Sequence, residues 1–441
     1  MCKDTEPRAL PEDSDSPKWF DGKKVIEIAF CEEFLTRHPM CCIHGRFYTA
    51  DGPIPDDVVR RLIYEELKAH AVSGVGKAVA TLLDVLRMEC YSPGLPLQTD
   101  RIHVANGTLF LDGRLEPAKE FCLNRLPVEY HPDAPEPKTW LRFVEELLYD
   151  EDIPTLQEYM GYCLLPTTKA QRMLFLIGRG GEGKSRIGPV MRALFGTAMN
   201  TGSLSKVETS PFARADLENK LVMVDDDIKL EALPQTHIIK AIVTAELPMD
   251  LERKGKQSYQ GNMFVRFMAF GNGVMKAAND RSEGFFRRQL ILSVRERPDN
   301  RVDDPYLAEA LCAEAEGIFL WCLEGLRRLL ANRYRFTVSA RTQANRESAV
   351  RDSNNVVEFM ASTGYIRRRA DAEITSRVLY AIYRLWCTDN AYQPLSAKSF
   401  SNYLSQHERV YSLSHTNTVR NAAGKRVWGF TGIEGLVTPP D

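Results

Sequence analysis

A chain of 441 residues with 44% hydrophobic content is long enough for about two to four domains with full cores. Its 57 Lys and Arg against 59 Asp and Glu leave a formal net charge of −2, which excludes nucleic-acid binding by bulk charge and leaves it to local basic patches. No run is apolar enough to span a bilayer, no signal-peptide pattern opens the chain, and the ten scattered cysteines lack a C-x-x-C pair, so reduced thiols and a cytoplasmic compartment are expected with no membrane partner.

Residues 1–23 begin rich in Pro, Asp, Glu and Ser and read as a disordered tail. Residues 24–137 mix helix and short strands and read as an α+β domain. A helix is expected from Pro55 to Ala71, and Ile102 to Gly113 reads as strand, Asn106-Gly107 turn, strand. Cys41-Cys42-x-His44 is the densest cysteine cluster, but it lacks a second ligand pair and does not read as a zinc site. Residues 138–171 read as a helical collar, with amphipathic helices Thr139–Asp150 and Pro154–Leu165 and an apolar face of Trp140, Phe143, Leu147, Leu156 and Tyr159.

The densest chemistry begins at residue 172. Met173 to Ile177 is an apolar run that reads as a buried strand. It leads into Gly178-Arg179-Gly180-Gly181-Glu182-Gly183-Lys184-Ser185, which fits G-x-x-x-x-G-K-[ST] and precedes a segment able to start a helix. Glycines let several N–H groups point at one anion, and the helix N-terminus adds partial positive charge. Lys184 would reach the β- and γ-phosphates of ATP, and the Ser185 hydroxyl would sit on Mg²⁺. Gly188-Pro189 falls in the first turns of the following helix and is expected to kink it.

Leu221 to Val224 ending in Asp225-Asp226-Asp227 reads as a second buried strand that delivers carboxylates to its C-terminal edge, where α/β sheets bind ligands. Asp225 suits the Mg²⁺ shell, and Asp226 suits orienting and deprotonating the attacking water. A third strand, Phe264 to Phe270, ends near Asn272, whose amide can hold that water or the γ-phosphate. Arg287-Arg288 precede a fourth apolar run, Gln289 to Val294, where either arginine can be offered to the γ-phosphate of a neighbouring subunit. Residues 172–298 thus read as one nucleotide domain of α/β class with a parallel sheet.

Residues 299–355 read as a helical segment with a long helix from Tyr306 to Leu330. Ten arginines between Arg327 and Arg369 are expected to form a DNA-facing or subunit-facing surface. In residues 356–441, a helix from Ile374 to Asn390 and a second capped by Ser396 precede a ribbon with a basic turn. That is the plan of a winged helix, with Lys398, Arg420, Lys425 and Arg426 facing phosphates.

The order of phosphate loop, closely following acidic strand, Asn272 and arginine pair resembles superfamily 3 helicases. More narrowly, it resembles the helicase part of the phage, plasmid and poxvirus primase–helicase family. Leu156 to Cys163, Gly284-Phe285-Phe286-Arg287-Arg288, Gly317 to Leu326 and Val104-Ala105-Asn106-Gly107 match that family's wording. The resemblance implies an AAA+ core and a hexameric ring that translocates on single-stranded and forked DNA using ATP, with a separate primase or loader as a further partner. It also implies a DNA-gripping hairpin between the acidic and Asn272 strands, here Asp250 to Lys256 with Lys254 and Lys256 near its tip; without it, that stretch reads equally as a solvated turn.

Two departures shape the expectation. The catalytic acid in such motors is more often Glu, whereas this chain has Asp226, so Asp227 can share the work. The roughly one hundred residues before the match are too few for a primase domain, so primer synthesis is not expected of this chain. The alternatives are an initiator that uses ATP as an assembly switch and a phosphotransferase acting on a small molecule.

Overall fold

The structure is a computed structural model, and it describes residues 17–22, 24–70, 73–228, 236–255, 257–272, 283–298, 302–353, 355–390, 392 and 394–438. Its centre is a five-stranded parallel sheet. In chain order the strands are the loop strand (Met173–Ile177), the edge strand (Met199–Thr201), the acidic strand (Val222–Ile228), the central strand (Arg266–Gly271) and the arginine strand (Gln289–Ser293). In space the order is arginine, loop, central, acidic, edge. Every neighbouring pair runs parallel. A parallel sheet is covered on both faces, which explains why these strands read as unbroken apolar runs rather than alternating ones.

One face packs against the helix Ile187–Phe195, the collar helices Lys138–Leu147 and Ile153–Tyr162, and the helix Ala315–Ala331. The other face covers Leu204, Val207, Ile239, Ile242, Phe285 and Ala349. The collar is therefore part of the central core. Gly161 and Gly325 show how closely its second helix meets Ala315–Ala331. A Cβ on Gly161 would lie 2.3 Å from the Cys322 carbonyl oxygen, and one on Gly325 would lie 2.3 Å from that of Gln157. Two stretches that carry the family wording are thus matched packing surfaces. The helix expected from Tyr306 to Leu330 is broken into Leu307–Ala313 and Ala315–Ala331. Glu314 stands at the break, and its carboxylate accepts from the N–H groups of Thr139 (3.0 Å) and Trp140 (2.9 Å), capping the first collar helix.

The N-terminal region divides where the sequence showed no seam. Trp19, Phe30, Phe34, Phe47, Ile63 and Leu83 share one small core. The helix expected from Pro55 runs Asp56–Leu67. The hairpin Arg101–Val104 and Gly107–Phe110 instead sends Ile102, Val104 and Leu109 into the central core. Its Asn106 side chain both donates to the Tyr130 carbonyl and accepts from the Tyr130 N–H, each at 3.0 Å.

The tail has its own core around Phe359, Tyr383, Phe400 and Phe430. Its three strands, Ile366–Thr375, Arg426–Gly435 and Ser414–Arg420, lie antiparallel in that spatial order. Helices Ser376–Asp389 and Ala397–Gln406 precede the ribbon, and Ser396 caps the second by accepting from the Ser399 N–H at 3.2 Å. Among the described residues no helix is long and apolar enough to cross a membrane.

The arginine run does not form one face. Arg328 pairs with buried Glu158 (2.6 Å), Arg341 with Glu151 (3.3 Å), and Arg369 with Glu434 (3.1 Å). Two helices and a strand send these side chains to different neighbours.

Candidate functional site

A cavity of about 860 Å³ opens at the C-terminal edge of the sheet. Gly180 to Arg186, Asp226, Asp227 and Asn272 line it, together with Arg297, Asp303, Asp304 and Leu307. The spatial strand order brings them together. The central strand lies between the loop strand and the acidic strand, with Gly271 opposite both Ile177 and Ile228. Whatever leaves those three strands must converge on one crevice.

Gly180, Gly181 and Gly183 hold φ of 112°, 80° and 102°, a region that side-chain-bearing residues rarely enter. The loop turns around the carboxylate of Glu182, which is 3% exposed. That carboxylate accepts from the N–H groups of Arg179 and Gly180 (the latter at 2.8 Å) and from the Lys184 ammonium at 2.6 Å. Burial raises its pKa, but the Lys184 hydrogen bond and the loop N–H groups outweigh burial and hold it below the ordinary carboxylate value. Lys184, expected to reach phosphates, is 6% exposed against this partner. An anion is therefore already among the loop's donors, which is the chemistry a phosphate would use there.

After the loop comes a single 3-10 turn, Lys184–Arg186, and the α-helix begins only at Ile187. Pro189 thus lies in the first α-turn, where its missing N–H removes no intrahelical bond, and the expected kink gives way to the change of helix type. Ser185 is exposed and lines the cavity.

The three acids part company. Asp226 and Asp227 are exposed and line the cavity. Asp225 does not line it: it is 5% exposed, and its Oδ2 accepts from the Leu204 N–H at 2.8 Å. Burial pushes its pKa up, against the backbone hydrogen bonds from Leu204 and Asp227 and with the charges of its two acidic neighbours. Alternation separates Asp225, on the face of Met223, from Asp226, and the irregular pairing just after Asp225 lets Asp227 reach the cavity as well. Asp225, expected in the magnesium shell, is thus buried in this structure and held on a backbone N–H. The amide of Asn272 lies 3.7 Å from where a Cβ on Gly180 would stand, close against the loop.

Arg297 was not anticipated. It lies beyond the C-terminal end of the arginine strand, pairs with Asp303 at 3.2 Å and donates to the Gly181 carbonyl at 3.4 Å. Its position past a strand end, on the ligand side of the sheet, was the available signal. It supplies a guanidinium to the cavity from the same subunit, as Arg186 does.

Arg287 and Arg288 are not brought to the cavity. They precede their strand and stand at the opposite edge of the sheet, where the Met173 N–H donates to the Arg288 carbonyl at 2.8 Å. Arg287 is exposed, whereas Arg288 is half-buried and donates from its guanidinium to the Gly284 carbonyl of the preceding helix, Glu283–Phe286. Arg172 adjoins them at the start of the loop strand. Burial lowers its pKa, and the neighbouring charges of Arg346, Arg287 and Arg288 lower it further.

The hairpin between the acidic and central strands exists as Met249–Leu251 paired with Tyr259–Gly261. Arg253 pairs inward with Glu218, which also accepts from the Tyr259 hydroxyl at 2.7 Å. Lys254 is exposed beside the turn at Gly255 (φ 72°), and Lys256 lies outside the described residues. Lys425 and Arg426 are exposed at the far end of the tail ribbon.

Residues 176–288 match a family of unknown function (DUF5906), and residues 351–426 match the poxvirus D5 protein-like family. The first match runs from the loop strand to the arginine pair, and the second covers most of the tail. No curated protein matches the chain. Among solved structures, the apo structure of the NrS-1 C-terminal region is similar with a TM-score of 0.52 at 10% identity, covering 92% of this chain and 99% of that one. The A form of the same region gives a TM-score of 0.49 at 11% identity, covering 92% and 99%. At these identities the likeness is one of fold, and it extends over nearly the whole chain.

Proposed function

We propose that this chain is an ATP-dependent DNA helicase of a phage or other mobile element, working as a ring of six copies on single-stranded and forked DNA. The observation that carries the reading is the cavity at the C-terminal sheet edge. There a glycine-rich anion loop faces two exposed carboxylates and an amide, while the arginine pair stands at the other edge. The poxvirus D5 protein-like match in the tail and the resemblance of the core to superfamily 3 helicases support it.

Loop N–H groups and Lys184 bind the β- and γ-phosphates once Glu182 yields its place. The hydroxyl of Ser185 and the carboxylates at the acidic strand end are hard oxygen donors on one cavity, a set that suits Mg²⁺. The ion, when bound, neutralises charge on the phosphates. Asp226 and Asp227 divide the two carboxylate tasks, holding that ion and taking a proton from the attacking water. Asn272 orients the water, and Arg287 of a neighbouring copy stabilises the charge that develops on the γ-phosphate. Asp225 positions the Leu204 segment. Lys254 and the ribbon end of a winged-helix tail hold DNA phosphates.

Unwinding of a forked duplex with ATP and Mg²⁺ tests the reading, beside Lys184→Ala. The variant should lose both hydrolysis and strand displacement and stay folded by circular dichroism. Strand displacement that persists in it would remove the loop from the mechanism. DNA binding without displacement in the unaltered chain would favour an ATP-switched initiator.

A further inference from the structure

Trp428 stands 58% exposed on the tail strand Arg426–Gly435. Alternate residues of a strand share a face, so Arg426, Trp428 and Phe430 lie on one side. Phe430 is fully buried in the tail core. His415, directly opposite Phe430 in register, bridges the two rings. Its ring centroid lies 4.6 Å from that of Phe430 and 4.8 Å from that of Trp428, with planes inclined by 24° and 34°. An aromatic column therefore rises from the core and ends in an indole that meets solvent.

Charge surrounds that end of the ribbon. Arg420 is the direct cross-strand partner of Arg426, and like charges directly opposite each other destabilise a strand pair unless an anion lies between them. Lys425 is exposed in the adjoining turn. Among the described residues no carboxylate forms an ion pair with Arg420, Lys425 or Arg426; Arg420 donates to the Gly424 carbonyl at 2.9 Å. The Glu373 carboxylate accepts from the Arg420 N–H at 3.3 Å, and a large exposed aromatic beside three cations outside any described ion pair fits a ligand that offers both a flat apolar face and phosphates.

We propose that this ribbon end captures single-stranded DNA, with Trp428 extending the column by stacking on an unpaired base while Arg420, Lys425 and Arg426 hold the flanking phosphates. The inference rests on reading the tail as a DNA-binding domain, and it adds that the tail engages bases. A duplex hides the faces of its bases, whereas an unpaired strand offers one at every nucleotide. In a helicase, such a site would hold a strand that has already been separated.

The test uses the full chain without nucleotide and measures fluorescence anisotropy on a labelled oligothymidylate and on an abasic strand of equal length. Trp428→Ala should weaken oligothymidylate binding roughly tenfold and leave abasic-strand binding unchanged. Trp428→Leu, which keeps apolar area without a π face, should show the same loss, and Trp428→Tyr should retain most of the binding. An equal loss on both strands, or no loss on oligothymidylate, would overturn the stacking role. Lys425→Ala with Arg426→Ala should weaken both strands. If that pair weakens neither, the tail does not bind DNA, and the stacking proposal falls with it while the nucleotide site stands untouched.

Discussion

At the C-terminal edge of the central sheet the described side chains are mainly oxygen donors: Ser185, Asp226, Asp227 and Asn272. At the N-terminal edge they are guanidinium groups, with Arg172, Arg287 and Arg288 at the strand starts. Arg346 stands nearby on the helix Ala340–Ser353, which is tied to the arginine strand by the 2.9 Å bond from Asn345 to the Ile291 carbonyl. Five strand residues at about 3.3 Å each keep the two edges roughly 15 Å apart. Carboxylates and metal serve one side of a γ-phosphate, and a cation serves the charge that develops on it. The two sets cannot meet within one subunit unless the sheet breaks. In the proposed ring, a second copy would present its N-terminal edge to the first copy's C-terminal edge and so supply the missing cation.

Arg297 is where this comparison can break, because it puts a guanidinium at the C-terminal edge of the same subunit. Arg287→Ala should reduce hydrolysis by roughly 10³-fold or more with ATP binding nearly unchanged, as expected of a trans arginine. Arg297→Ala should act mainly through weaker nucleotide binding, since Arg297 touches the loop itself. Reversed results in steady-state ATPase and nucleotide titration would move the catalytic cation into the same subunit.

The carboxylates sharpen the oxygen-donor edge. Asp226→Asn should slow hydrolysis by about 10²-fold or more, the scale of a lost general base. Asp225→Asn should cost much less in turnover and show instead as lower thermal stability, because its carboxylate is buried on the Leu204 N–H. Equal turnover losses would put Asp225 back in the metal shell.

The smallest effect concerns the hairpin, which belongs to neither edge. Lys254→Ala should leave basal ATPase unchanged and lower the salt slope of single-strand binding by roughly 0.7. An unchanged slope would remove Lys254 from the DNA path.

Chemistry that rests on neighbouring residues was legible in the sequence. The glycine loop, the apolar run ending in three acids and the Ser396 cap each act over a few consecutive positions, and each element is found where expected. Relations between distant segments were not legible. Arg297 enters the cavity only because the arginine strand lies beside the loop strand. Gly161 and Gly325 both stand in recognisable wording, yet nothing local shows that their helices cross there. The domain seam before Ile102 depends on which core receives three side chains of one hairpin. Asp225 shares strand parity with the core residue Met223, and the irregularity comes just after it, where three steps of the acidic strand span two of the central strand, a feature that spacing does not encode. The Glu182 carboxylate inside its own loop is a short-range contact, but its direction depends on side-chain rotation that spacing does not encode.

The central claim is that hydrolysis needs both edges, taken from two copies. Arg287→Ala and Asp226→Asn proteins, each nearly inactive alone, can be mixed under conditions where co-assembly is verified by native mass spectrometry. Some interfaces then join an intact arginine to an intact acid, and ATPase activity should rise well above that of either variant. A co-assembled mixture no more active than its components would contradict the account and show that each subunit completes its own site.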